Sequence, residues 1–165
     1  SKAVGLSGSD GLLFQGESLE KHLTNGTRTG KVVSVDTTLL NLLIDNGYIP
    51  VVASTSMDTE GGALNINADE AALHIAVAVR ADSLIFLSDT PGIVKDGSVV
   101  HCVDEEDVKN YIQTGCITGG MIPKVNSSIE AIKAGVSKII ICQYKEKGDL
   151  AGSTNGEHGT TLIVK

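Results

Sequence analysis

Three short polar runs hold the side chains best suited to chemistry: Asn65-Ile66-Asn67-Ala68-Asp69, Ser88-Asp89-Thr90-Pro91-Gly92 and Thr118-Gly119-Gly120-Met121-Ile122-Pro123-Lys124. Each taken alone has a plain structural use. Asn67 suits a helix N-cap, and Asp69 suits the positive end of the helix dipole. Ser-Asp-Thr-Pro-Gly is a turn-forming sequence. Lys124 is harder to dismiss as a solvated charge, because a cation in the first turn of a helix opposes the dipole. A bound polyanion offsets that opposition, so the chemistry to expect is recognition of a phosphate-bearing ligand at a helix N-terminus.

Charge and composition restrict the alternatives. Thirteen Lys and Arg against 20 Asp and Glu leave a net charge of −7, the wrong sign for neutralising a nucleic-acid backbone. An anionic small ligand also approaches against that mean field, so its site must be locally cationic or built from backbone N–H groups. With 41% apolar and 20% charged residues the chain is not disordered. No run reaches the roughly 18 apolar residues that a membrane-spanning helix needs, so no membrane partner is expected. Cys102, Cys116 and Cys142 lack metal or redox spacing and read as structural thiols of a reducing compartment. His22, His74, His101 and His158 are isolated in sequence, so no metal site is expected. The chain opens at Ser1-Lys2 without a basic-then-apolar leader, which points to the cytoplasm.

The elements that must position the three runs follow from periodicity and punctuation. Its 165 residues suit one α/β domain. Asp36 caps a helix with Leu39, Leu40, Leu43 and Ile44 on one face, and Gly47 ends it before a strand from Ile49 to Ala53. Asn67 and Glu70 have capping-box spacing for a helix, buried on more than one face, that runs to about Val79. The strand Leu84–Leu87 follows. Asp104 caps a third helix, stapled by Val103 and Val108 and closed by Gly115. A fourth helix runs from Gly120 to Ala134, tolerates Pro123 in its first turn, and leads to the strand Lys138–Cys142. Hairpins are expected at Glu60-Gly61-Gly62 and Asp96-Gly97. The opening segment reads either as a hairpin around Ser9-Asp10-Gly11 or as a strand followed by one. Tyr144–Gly159 reads as a mobile loop before a final strand Thr161–Val164. Apolar strands joined through helices give a three-layer α/β/α sandwich with a mainly parallel sheet. In such sheets ligands bind beyond the carboxyl ends of the strands, where all three polar runs are expected.

Asn65-Ile-Asn-Ala-Asp69, Leu87-Ser-Asp-Thr-Pro-Gly-Ile93 and Gly119-Gly-Met-Ile-Pro-Lys124 together resemble the acetylglutamate kinases of the amino acid kinase family. The similarity extends to Leu6-Ser-Gly-Ser-Asp-Gly11, Gly30-Lys-Val-Val33 and Tyr48-Ile-Pro-Val51. It implies transfer of a phosphoryl group from ATP, carried with Mg²⁺, to the side-chain carboxylate of N-acetyl-L-glutamate, a step of arginine biosynthesis. Residue by residue, it implies that Asn65 binds the amino acid substrate, that Asp69 organises catalytic lysines, and that Lys124 contacts the transferring phosphoryl group. Asp89, Thr90, Pro91, Gly92, Cys116, Ile117, Thr118 and Gly119 are implied to hold the nucleotide.

Residues 1–80 then correspond to the remainder of the amino-acid-substrate half, and 81–165 to the nucleotide half. Family members carry a further N-terminal segment with a catalytic lysine and a glycine-rich phosphate loop, so this chain is expected to be a fragment that is inactive alone. The missing segment and a second copy, in a dimer or larger homo-oligomer, are its expected partners. Two other readings accompany this one: a non-catalytic nucleotide-binding or regulatory module, and a kinase of an acetylated or carrier-linked aminoadipate.

Overall fold

The computed structural model describes residues 2–19 and 28–163, and the chain divides into two compact units, residues 1–79 and 80–165. The first unit contains β1 (Lys2–Leu6), β2 (Phe14–Ser18), β3 (Thr29–Val35), α1 (Thr38–Asp45), β4 (Tyr48–Val52), β5 (Thr55–Met57), β6 (Ala63–Ile66) and α2 (Ala68–Ala78). Strands β1 and β4 form a parallel pair, with Lys2 opposite Tyr48 and Leu6 opposite Val52. Strands β2, β3, β6 and β5 close into a small barrel. The buried cluster of this unit is Leu13, Phe14, Val32, Leu40, Leu64, Ile66 and Ala71. It draws on barrel strands, α1 and the first turns of α2.

Local signals set most boundaries here. Asp36 is not the N-cap expected for α1: that position is Thr37, which makes no side-chain cap, and Asp36 instead accepts the Thr38 amide at 2.8 Å across a local turn. The Asn67 side chain accepts the amides of Asp69 and Glu70 at 2.9 and 3.2 Å, opening α2. The reciprocal half of that capping box does not form, because the Glu70 carboxylate instead accepts the Val32 amide of β3 at 2.8 Å. A long-range acceptor task has displaced a local one. The hairpin alternative around Ser9-Asp10-Gly11 also fails. Asp10 accepts the Ser7 amide at 2.7 Å and its hydroxyl at 2.9 Å, a 3₁₀ turn follows at Asp10–Leu12, and β1 takes β4 as its partner. The hairpin is formed later by β2 and β3, which run antiparallel.

The second unit contains β7 (Leu84–Leu87), β8 (Val94–Lys95), β9 (Ser98–Val99), β10 (Cys102–Val103), α3 (Glu105–Gln113), α4 (Met121–Lys133), β11 (Ile139–Cys142), α5 (Asp149–Thr154) and β12 (Thr160–Leu162). Its sheet has the order β10-β12-β11-β7. The β11–β7 and β10–β12 pairs are parallel, as the apolar runs require, and β12 runs antiparallel to β11. Asp96 and Gly97, with φ of 50° and 79°, make the expected tight turn between β8 and β9. A full capping box between Asp104 and Asp107 opens α3, and the staple residues Val103 and Val108 are both buried. Glu105 lies 2.8 Å from Lys109 and 2.9 Å from Lys133, tying α3 to α4.

The segment Tyr144–Gly159 is not the structureless loop expected from its polarity. Asp149 accepts the amides of Lys145 and Glu146 at 2.7 and 3.0 Å and opens α5, in which Gly152 and Ser153 are buried. The final strand spans Thr160–Leu162, so the expected strand stops before Ile163, and Val164 lies outside the described residues. Thr160, fully buried, accepts the Ile93 amide at 2.8 Å and donates to the Val100 carbonyl at 2.6 Å. Among the described residues no helix is long and apolar enough to cross a membrane.

Two substitutions test this account. Asp104→Ala removes the α3 cap and is expected to lower unfolding free energy by about 1 kcal/mol, read by urea denaturation. Thr160→Val strands a buried Ile93 amide and is expected to cost about 1–3 kcal/mol, with faster hydrogen exchange at that amide.

Candidate functional site

In the second unit the chain leaves β7 into the Ser88–Gly92 turn, and the turn is held from three directions. The Ser88 amide donates to the Cys142 carbonyl at 2.8 Å, carrying the β7–β11 ladder one step past the strand. The Ser88 hydroxyl lies 3.2 Å from both Asp89 Oδ1 and Thr90 Oγ1. Gln143, the residue after β11, donates its side-chain amide to the Asp89 carbonyl at 2.8 Å. At the far end Gly92 has φ 143°, and a Cβ there would sit 2.6 Å from Thr160 Oγ1, so only glycine fits. The result is a fixed turn with Asp89, Thr90 and Pro91 exposed and Gly92 buried.

The entrance to α4 lies at the same end of β7. Lys124 Nζ stands 4.9 Å from the centre of the Phe86 ring, and Phe86 is two residues before Ser88. Ahead of Lys124 the chain is anchored by Ile117, whose side chain is 2% exposed and whose amide donates to the Tyr111 carbonyl at 3.0 Å. Ile117 therefore offers a ligand only its backbone. Cys116 is half-buried, with Sγ 3.6 Å from the Thr114 hydroxyl. Thr118, Gly119 and Gly120 are exposed, and α4 begins without a side-chain cap. A Cβ at Gly119 or Gly120 would meet nothing within 4 Å, so their Cα atoms face open space. Lys124 of the third polar run thus lies against β7, two positions before the strand passes into the second run.

In the first unit Asn65 and Asp69 are four positions and one strand-to-helix junction apart. Asn65 is exposed on β6, between the inward Leu64 and Ile66, and its amide donates to the Arg28 carbonyl at 2.8 Å. Asp69 is half-buried in the first turn of α2, with its amide held by Asn67.

The structure also shows groups that sequence reasoning overlooked. Gln143 and Thr160 build the Asp89–Gly92 turn, yet neither stands in a polar run or at motif spacing. Pro91 from that turn, together with His101, Gln143, Asp149 and His158, borders a cleft of about 250 Å³. His101 and His158, isolated in sequence, therefore share one cleft wall. The amides of Lys145 and Glu146, and then the nearby His158, hold the Asp149 carboxyl below the usual carboxylate range. His74 is exposed on α2, and His22 lies outside the described residues. Among the described residues no group of three or more His, Cys, Asp or Glu side chains could hold a metal.

Residues 1–143 match the amino acid kinase family. The acetylglutamate kinase of Brachyspira hyodysenteriae is 43% identical over 144 residues, covering 85% of this chain and 50% of that protein. That of Bacillus mycoides is 41% identical over 160 residues, covering 97% of this chain and 60% of its own length. The chain thus spans about half the length of the curated relatives it matches. A crystal structure of N-acetylglutamate synthase from Neisseria gonorrhoeae superposes with a TM-score of 0.83 over 99% of this chain and 38% of that one. Its 19% identity shows the fold alone, and that fold is of the α/β class expected from the sequence. The match along most of its length places this chain in the amino acid kinase family.

Proposed function

We propose that this chain forms part of an ATP-dependent kinase that phosphorylates the side-chain carboxylate of N-acetyl-L-glutamate, giving an acyl phosphate. The observation that carries this reading is Lys124, an ammonium in the first turn of a helix without a side-chain cap, preceded by two exposed glycines and set over Phe86 of the strand that leads into the Asp89–Gly92 turn. A lysine and an exposed glycine pair suit a polyphosphate, and the similarity to acetylglutamate kinases supplies the acceptor. On this reading residues 81–165 are the nucleotide half and residues 1–80 belong to the amino-acid half. Biosynthesis of arginine and a cytoplasmic location belong to the same proposal.

A carboxylate acceptor is already ionised at neutral pH, so the reaction needs no general base. Its obstacle is repulsion between the attacking carboxylate and the phosphates. Each assigned residue addresses that obstacle. Asn65 offers an uncharged side chain to the amino acid substrate. Lys124 stabilises charge on the transferring phosphoryl group. Asp69 orients cations and does not abstract a proton. The Asp89, Thr90, Pro91 and Gly92 turn, with Cys116, Ile117, Thr118 and Gly119, holds the nucleotide, and Ile117 acts there through its backbone. When bound, Mg²⁺ supplies further neutralisation of the phosphates. The exposed glycines ahead of α4 carry no side chains of their own to bar a phosphate group.

In the full-length protein that carries this chain, Lys124→Met is expected to lower kcat for acetylglutamate phosphorylation by about 10²-fold or more, with a smaller change in KM. Near-normal kcat in a folded Lys124→Met enzyme overturns the reading, and a preference for an aminoadipate derivative over acetylglutamate overturns the acceptor. The 165-residue chain alone is expected to bind MgATP in calorimetry while turning over acetylglutamate negligibly. Absence of binding by the folded chain counts against the nucleotide assignment.

A further inference from the structure

The ladder that joins β3 to β6 is only two residues long, Thr29 opposite Asn65 and Gly30 opposite Ile66. So short a pairing holds register weakly by itself, and a slip of one residue would turn Asn65 inward and Leu64 outward. Arg28, just ahead of β3, extends the grip on β6 in two ways. Its carbonyl accepts the Asn65 amide at 2.8 Å. Its guanidinium Nη2 lies 2.6 Å from Asp58 Oδ2, at the start of the turn that leads into β6.

Asp58 in turn closes the β5–β6 hairpin. Its Oδ1 accepts the amides of Glu60 at 3.0 Å and Gly62 at 2.7 Å, and its own amide donates to the Gly62 carbonyl at 2.9 Å. Gly62 lies directly against the guanidinium, since a Cβ there would collide with Arg28 Nη1. The pair is partly shielded, with side chains 29% and 12% exposed, so it is screened less than a surface ion pair. The Gly62 amide, and after it Arg28, hold the Asp58 carboxyl below the usual carboxylate range, so it is ionised at neutral pH. One residue therefore grips β6 at its hairpin end through a side chain and at Asn65 through the backbone.

We propose that Arg28 is a positioning residue for Asn65, and that the Arg28–Asp58 clamp sets the affinity of the enzyme for its amino acid substrate without touching it. This rests on the assignment of Asn65 to that substrate. A clamp of this kind affects how well the acceptor binds more than how fast the phosphoryl group moves, because it acts on one binding side chain and on no group that stabilises the transition state.

The test compares Arg28→Met, Arg28→Lys and Asn65→Ala in the full-length protein that carries this chain, with N-acetylglutamate and ATP as substrates. Arg28→Met is expected to raise KM for acetylglutamate on the order of tenfold, with kcat and the KM for ATP changed by about twofold or less. It should also accelerate hydrogen exchange at the Asn65 amide. Arg28→Lys, which keeps the charge facing Asp58, should recover part of the loss. In the double variant Arg28→Met with Asn65→Ala the two effects on KM should be less than additive. An unchanged KM for acetylglutamate in folded Arg28→Met, or an equal fall in performance toward both substrates, overturns the positioning role. If Asn65→Ala alone leaves that KM unchanged, the substrate assignment of Asn65 falls, while the exchange rate at its amide still decides whether the clamp holds the strand.

Discussion

The second unit is organised around a strand that no water reaches. Ile139, Ile140 and Ile141 of β11 are fully buried and Cys142 is nearly so, which leaves the strand no polar role along its length. Its backbone is satisfied by β7 on one side and β12 on the other. Function is thereby pushed to the strand's end. Because β11 and β7 run parallel and in register from Ile139–Leu84 to Cys142–Leu87, they finish together, and the residues that follow them become neighbours. The Gln143 bond to the Asp89 carbonyl is the direct consequence. On the other side, β12 delivers Thr160 to the base of the same turn. An apolar strand has fixed a polar loop, and that loop is where a nucleotide site is proposed.

The placement of Lys124 then becomes a balance of small terms. A cation in the first turn of a helix gives up about 0.3–1 kcal/mol to the dipole. Against this, the ammonium stands 4.9 Å from the face of Phe86, a cation–π arrangement that returns about 0.5–2 kcal/mol depending on solvent access. The fold can therefore hold Lys124 in position before any anion arrives. The opposition between charge and dipole, for which the sequence offers a bound polyanion as one explanation, is met in part by an aromatic ring. With only two phenylalanines and no tryptophan in the chain, the use of one at this point is not a matter of abundance. If a phosphate group binds there as proposed, a lysine already held in place pays less ordering entropy.

What the sequence made legible is what the chain decides within a few residues. Asp104 with Asp107, Asn67 ahead of α2 and Asp96-Gly97 between two strands each act across one turn of backbone, so composition and spacing reveal them. The three polar runs were legible for the same reason, being contiguous. The groups that hold those runs were not. Glu70 leaves its local capping task for Val32, 38 residues away, and Thr160 reaches Ile93 across 67 residues. Nothing local marks either choice. The β1–β4 pairing was hidden in the same way, since a hairpin and a parallel partner present the same apolar run. Helix α5 escaped notice because its six residues include Gly152 and follow a left-handed Gly148, leaving no period to read. His101 and His158 come to one cleft only through the fold of β12 and the segment before it.

A chain of net charge −7 that is to hold phosphates must keep its carboxylates from governing the site, and the structure shows how many of them are occupied. Asp10, Asp36, Asp58, Glu70, Asp104, Asp107 and Asp149 each accept a backbone amide, serving turns, caps and strand edges. Their charges remain, but each faces the positive end of an N–H dipole, and beyond roughly 8–10 Å physiological salt screens what is left. Glu105 is further matched by Lys109 and Lys133 on the outer surface of α3 and α4. The local charge at the start of α4 is set instead by Lys124 in the first turn, where no carboxylate caps the helix. Local geometry decides the sign that a bound phosphate meets. The same economy applies in the first unit, where the Asp58 carboxylate closes a turn and faces Arg28, leaving the neutral Asn65 as the exposed polar group of its strand. On the proposed reading a carboxylate substrate at β6 would meet an amide side chain, while the acidic group three residues before Gly61 is already engaged with donors of its own.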